Sequence, residues 1–268
     1  MILEKLFSVI NAYFPEPHAS LLNGILFGKD IKQINYLYED LKIVGLLHLV
    51  VLSGVNITIL GAIVAKLTQH LHKTVSFCIT ILTIVLFVSM VGPKPPIVRA
   101  ALMGIIALIG IQVGRKAYGL YTLFLSAFII FVFKPSWVFG VSFQLSFAAT
   151  FGILLFHDFY PFKKDEQKRV FLPKFIWEEL AITISAYLFT TPIIFIYFGQ
   201  ISLLAPLSNI LVSPLVPAIM ILGFVTVILG LIHMSFGVLP ALATFGLLEY
   251  MRLVITLLSS VPFGYIKN

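Results

Sequence analysis

The chain has 268 residues, 60% of them hydrophobic and 11% charged, with a mean hydropathy of +1.06. That balance excludes an ordinary soluble domain and points to an integral membrane protein. The formal net charge of +7 suits anionic lipid or an anionic ligand, and a single cysteine, Cys78, excludes an intramolecular disulfide.

The first of two expected regions, residues 1–42, is amphipathic and carries the N-terminal interfacial helices. Glu4 interrupts the opening stretch and no small-residue cleavage site follows, so no signal peptide is assigned. In 31–42 (IKQINYLYEDLK), Ile31, Ile34, Leu37, Tyr38 and Leu41 recur at helical spacing with charges elsewhere. The second region, 43–268, is transmembrane. It offers about eight candidate spans, near 43–66, 75–91, 96–113, 117–133, 136–156, 177–199, 204–231 and 237–260. Long apolar stretches joined by short basic loops favour helices over a β-barrel. The expected fold class is an all-α integral membrane protein, a polytopic bundle of about 7–8 transmembrane helices.

The opening span reads GLLHLVVLSGVNITILG from Gly45 to Gly61. On an uninterrupted helix Gly45, His48, Ser53 and Asn56 fall within an arc of about 140°. Intramembrane polar groups are costly and face a bundle interior, a cavity or another helix. The third span opens GPKPPIVRAALMG, with Arg99 one turn inside a Pro95–Pro96 helix start. That guanidinium can snorkel to headgroups or grip phosphate bidentately. Arg115 and Lys116 stand at the opposite end of the same span. In the fifth span, SFQLSF places Ser142 and Ser146 on one face and Gln144 nearly opposite. The sixth carries a hydroxyl stripe, Thr183, Tyr187, Thr190 and Thr191, that ends at Pro192. The stretch LLAPLSNILVSPLVPAIM sets Ser208, Asn209 and Ser213 among Pro206, Pro214 and Pro217, which predicts a proline-broken or re-entrant segment. In the last span Glu249 and Arg252 are i,i+3 neighbours and are read as a structural ion pair.

Basic residues set the orientation. Lys66, Lys73, Arg115, Lys116, Lys163, Lys164, Lys168, Arg169 and Lys174 collect on one side if the spans alternate. The loops 67–74, 114–116 and 157–175 are therefore expected to be cytoplasmic. No GxxxxGK[ST], HExxH, cysteine pair or Asp/His cluster occurs, so no nucleotide motor, metal or cofactor is assigned. His48 and Ser53 lie five residues apart, about 140° around a helix, a poor nucleophile–base pair. No catalytic residue is assigned, and the chain is expected not to be an enzyme.

The order GLLHLVVLSGVNI, PPIVRAALM, Arg115 with Lys116, KPSWVFGVSFQLSFAATFGILLF and TTPIIFIYFGQISLLAPLSNILVSPLVP resembles the competence domain of the ComEC family. The resemblance spans about residues 20–262. Its HLxxxSG element falls on His48, Leu49, Ser53 and Gly54, its RA pair on Arg99 and Ala100, and its lone arginine on Arg115. The FQLSF element covers Phe143 to Phe147, and the late FGQ…N…P element covers Phe198, Gly199, Gln200, Asn209 and Pro214. Asn56 departs from the family, where similar proteins often have His.

The resemblance implies a channel that carries single-stranded DNA through the bacterial cytoplasmic membrane in natural transformation. It implies a path lined by His48, Ser53, Asn56, Arg99, Arg115, Gln144, Ser146 and Asn209. Full-length relatives add OB-like and β-lactamase-like domains, for which these 268 residues leave no room. A separate nuclease, a DNA receptor and a cytoplasmic helicase-like motor are then expected partners, beside membrane lipids and further copies of the chain. Alanine at Arg99 or Asn56 is expected to lower uptake and leave insertion intact. Two other classes stay open: a secondary transporter of a small anionic or amphiphilic solute, and a membrane scaffold that docks partners.

Overall fold

A computed structural model describes residues 2–32, 34–50, 54–156, 174–262 and 264–267. Among them the architecture is all-α. The helices are, in chain order, α1 (Ile2–Tyr13), α2 (His18–Phe27), α3 (Asn35–Ile43), α4 (Leu47–Val50), α5 (Gly54–Leu67), α6 (Lys73–Val91) and α7 (Pro95–Gln112). There follow α8 (Gly119–Phe133), α9 (Pro135–Val138), α10 (Val141–Phe156), α11 (Lys174–Phe198), α12 (Ala205–Val212), α13 (Val216–Ile232) and α14 (Met234–Ser259). Two three-residue extended segments, Gln200–Ser202 and Tyr265–Lys267, complete the regular elements among the described residues.

Five stretches among the described residues are long and apolar enough to cross a membrane: Lys73–Val91, Pro95–Gln112, Trp177–Phe198, Ala205–Ile232 and Met234–Ser259. They match five of the expected spans. The expected spans near 117–133 and 136–156 are the shorter helices α8 and α10. The span expected at 43–66 is not one helix. α3 ends at Ile43, α4 is a single turn and α5 begins at Gly54. The break has a steric cause at Gly45, whose φ is +76°, a backbone state closed to most side chains. The arc drawn from Gly45 to Asn56 on an uninterrupted helix is therefore corrected: Gly45 and Asn56 belong to different elements.

The chain forms two compact units, one of residues 1–56 with 202–267, the other of residues 57–201. In the first, α2 packs against α1, α4, α13 and α14. All of its residues except Ser20 are buried. A helix that is apolar on every side belongs inside a bundle, and Leu21, Leu22, Ile25 and Leu26 form the centre of this core with Ile10, Ile219, Met220 and Leu248. The segment 1–42 is thus not uniform. α3 is amphipathic, with Leu37 and Leu41 buried and Tyr36 exposed, whereas α2 is enclosed.

The proline-rich stretch is broken by one 3₁₀ turn, Ser213–Leu215, between α12 and α13. Pro206, Pro214 and Pro217 each fall in the first turn of their own helix, where the missing N–H is not needed. The backbone stays right-handed through this turn, and Ala205–Ile232 forms one apolar stretch of 28 residues.

In the second unit α10 packs against α7, α8 and α11. Gly152 allows the α10–α11 approach, since a Cβ there would stand 2.6 Å from the Ser185 carbonyl oxygen. Phe143, Phe147 and Phe151 stack along α10 with centroids 5.9 and 6.2 Å apart, and Phe124 of α8 meets Phe147 edge-on at 5.6 Å.

A Cβ on Gly45 would lie 2.6 Å from the Cβ of Ala205. Gly45→Ala is expected to cost about 1–3 kcal/mol through overpacking and a strained φ. Thermal unfolding in detergent measures it, against Gly246→Ala, where a new Cβ meets nothing within 4 Å. Equal midpoints for the two variants would refute the steric account.

Candidate functional site

Arg99 enters the second unit from the first turns of α7, behind a Pro95–Pro96 start. It is 4% exposed. Its Nε donates to Ser146 Oγ at 3.1 Å, its Nη2 donates to the same oxygen at 2.8 Å, and its Nη1 faces Met103 Sδ at 3.2 Å. The sequence made Met103 a neighbour at i+4 and placed Ser146 on one face of α10; the structure joins the two helices through the guanidinium. No carboxylate is among the partners of Arg99 in the described residues. A buried cation held only by neutral groups is unusual, because burying a charge without a counter-charge is costly.

Gln144 donates from Nε2 to the Phe139 carbonyl at 3.2 Å, which closes the end of α9. Beside it lies an apolar groove of about 390 Å³ lined by Ala127, Val138, Phe143, Phe147 and Ile193. Arg115 is exposed, at the far end of α7 from Arg99. Its N–H reaches back to the Gly110 carbonyl at 2.8 Å across Gly114, whose φ is +74°. That is a Schellman-type helix end, and a cation there also complements the helix dipole.

The first unit holds the other polar residues. His48 is exposed and its Nδ1 lies 3.0 Å from the Gly45 carbonyl oxygen, so Nδ1 carries the proton. Asn56 is 1% exposed and donates from Nδ2 to the Ile25 carbonyl at 2.7 Å. Ile25 lies in the last turn of α2, where carbonyls have no partner within the helix. Asn56 thus fastens α5 to the end of α2. Asn209 donates to the Ala205 carbonyl at 2.8 Å and accepts from Ser213 at 3.1 Å. Ser208 reaches the Val44 carbonyl at 2.6 Å. Ser53 lies outside the described residues, as does most of the 157–175 loop.

Glu249 and Arg252 meet in α14, with Arg252 Nε donating to Glu249 Oε2 at 2.9 Å. The sequence reading missed their third member. His18 of α2, 5% exposed, donates from Nε2 to the same carboxylate oxygen at 2.7 Å and lies against the ring of Phe245. Nothing in the sequence pairs positions 231 residues apart. The signal available was the imidazole itself, at the start of a helix whose other polar side chains are Ser20 and Asn23. Asn11 and Asn23 form a second missed contact at 3.1 Å.

These features define a polytopic helical membrane protein with polar and cationic groups buried in its spanning bundle. The chain belongs to the Competence protein family, whose match covers residues 25–268. It is 24% identical over 237 residues to ComE operon protein 3 of Bacillus subtilis (strain 168), covering 87% of this chain and 29% of that protein. It is 25% identical over 209 residues to an uncharacterised protein of Aquifex aeolicus (strain VF5), covering 76% of this chain and 46% of that one. The chain therefore spans less than half the length of either relative. No solved structure matches.

Asn56→Ala strips the Ile25 carbonyl of its amide donor in a dry site. It is expected to lower stability by about 1–3 kcal/mol. Membrane abundance and the unfolding midpoint in detergent measure this, and an unchanged midpoint would return Asn56 to the path residues.

Proposed function

We propose that the chain conducts single-stranded DNA across the bacterial cytoplasmic membrane during natural transformation. One observation supports this above the rest: in a member of the Competence protein family, a spanning helix buries Arg99 with neutral partners alone. A strand carries one phosphate per nucleotide and asks for a wet route with few fixed cations, since many would trap it. Within the second unit, Gln144 bonds the Phe139 carbonyl and adds a neutral polar group to the helix that carries Ser146. The chain works as a conduit and performs no chemistry. Cutting the duplex, receiving it and pulling the strand fall to a separate nuclease, a receptor and a helicase-like motor, and copies of the chain assemble in lipid.

Arg115 and Lys116 give the inner rim its charge, with the loops 67–74, 114–116 and 157–175 facing the cytoplasm. Lys116→Cys, in a chain whose Cys78 is replaced by serine, is expected to react with a membrane-impermeant maleimide in inverted vesicles and not in intact cells. Labelling from outside would reverse the orientation.

Arg99→Ala is expected to lower uptake of labelled DNA at least about tenfold, the equivalent of about 1.4 kcal/mol, at unchanged membrane abundance. Liposomes carrying the wild-type chain should pass labelled oligothymidylate. Flux of small anions without strands would favour a solute transporter, and flux of neither would favour a scaffold.

A further inference from the structure

We propose that Arg99 is a phosphate-exchange site, in which the Ser146 hydroxyl holds the guanidinium when the site is empty and a phosphate diester oxyanion takes its place. The physiological ligand, a strand phosphate, rests on the conduit reading above; the site chemistry does not.

Geometry comes first. Arg99 turns its Nε and Nη2 hydrogens onto one oxygen, at 3.1 and 2.8 Å. That edge is the one that grips two oxygens of a phosphate in a bidentate pair. Here two donors converge on a single neutral acceptor, and Nη1 meets only a thioether, a weak acceptor, at 3.2 Å.

The charge balance agrees. The other arginine in a described spanning helix, Arg252, lies on Glu249, which also holds His18. Two further ion pairs, Lys32–Asp30 and Lys42–Glu39, lie outside the spans. Arg99 alone of the two spanning arginines has no anionic partner among the described residues. A guanidinium stays charged in a protein, so its charge is left for an anion to meet.

Exchange is favoured for the same reason. A hydrogen bond to an ionised acceptor is about twice as strong as one to a neutral group. A phosphate oxyanion therefore displaces the hydroxyl, whereas a carboxylate at position 146 would hold Arg99 permanently. With Arg99 only 4% exposed, loading requires the α7–α10 contact to open. A single cation releases its phosphate readily, which suits a ligand that must move on.

A strand phosphate and a phospholipid headgroup share this chemistry, and the test separates them. The full chain is purified in maltoside micelles free of phospholipid and titrated with thymidylyl-thymidine, which has one phosphodiester. Its uncharged methylphosphonate analogue is the control. The wild type should bind the phosphodiester at least about tenfold more tightly than the analogue, and Arg99→Lys should lose at least about tenfold, since lysine keeps the charge and lacks the fork. Ser146→Ala should bind as tightly as wild type or more so. If that variant does not fold, Ser146→Cys keeps the volume and weakens the acceptor.

Equal affinity for the two dinucleotides overturns the site, and so does loss of binding in a folded Ser146 variant. Displacement of the dinucleotide by added phosphatidylglycerol would leave the phosphate site standing, give it to lipid and overturn the strand phosphate as its ligand. If the dinucleotide binds as expected but oligothymidylate does not cross liposomes, the site stands and the conduit reading falls. If strands cross and no dinucleotide binds, the reverse holds.

Discussion

Inside an apolar bundle no water is at hand to satisfy a donor or an acceptor, and that constraint shapes almost every polar contact in this chain. Hydroxyls meet it locally. Thr80, Ser185, Thr190, Thr191, Thr226 and Thr244 each return their proton to the carbonyl four residues back. Longer side chains meet it across elements. Asn56 supplies the donor that the end of α2 lacks, and Ser208 does the same for the Val44 carbonyl. Glu249 is shared by His18 and Arg252, which leaves a carboxylate compensated on two sides. Against this background of local settlement, Arg99 differs from Arg252, the other arginine in a described span: its hydrogen bonds are made, but among the described residues no anion meets its charge.

Much of the fold was legible. Apolar runs of 18 residues or more announce themselves by length, and five such stretches among the described residues lie where they were expected. The amphipathic spacing of 31–42 matches an α3 that buries Leu37 and Leu41. Pro206, Pro214 and Pro217, unlike Pro95 and Pro96, were legible as breaks but not as helix starts, because whether a proline breaks or begins a helix depends on the turn before it. Gly45 misled for a different reason. Hydropathy is blind to φ, and Gly45, inside a run that reads as one span, takes a left-handed φ of +76°.

Site residues divide the same way. Arg99 and Ser146 could be singled out because a cation and a polar face inside an apolar run are exceptions to composition. Their meeting could not be read, since it depends on how α7 and α10 pack, 47 positions apart. Asn56 could be singled out in the same way, but its bond to the Ile25 carbonyl could not, because carbonyls leave no mark in a sequence. His18 escaped because residues 1–42 read as interfacial, whereas α2 is core, with the imidazole placed to reach a carboxylate from α14.

The enclosure of α2 has a bearing on how the protein is made. Its walls come from α1 and α4 nearby, but also from α13 and α14, which begin some 200 residues later. A chain emerging from the ribosome presents α2 long before those walls exist, and domains fold as units during synthesis. The second unit, residues 57–201, is contiguous and can close first. The first must wait with its central helix incompletely covered until α13 and α14 arrive. The unit built around α2 is in this sense the later of the two to become a structure.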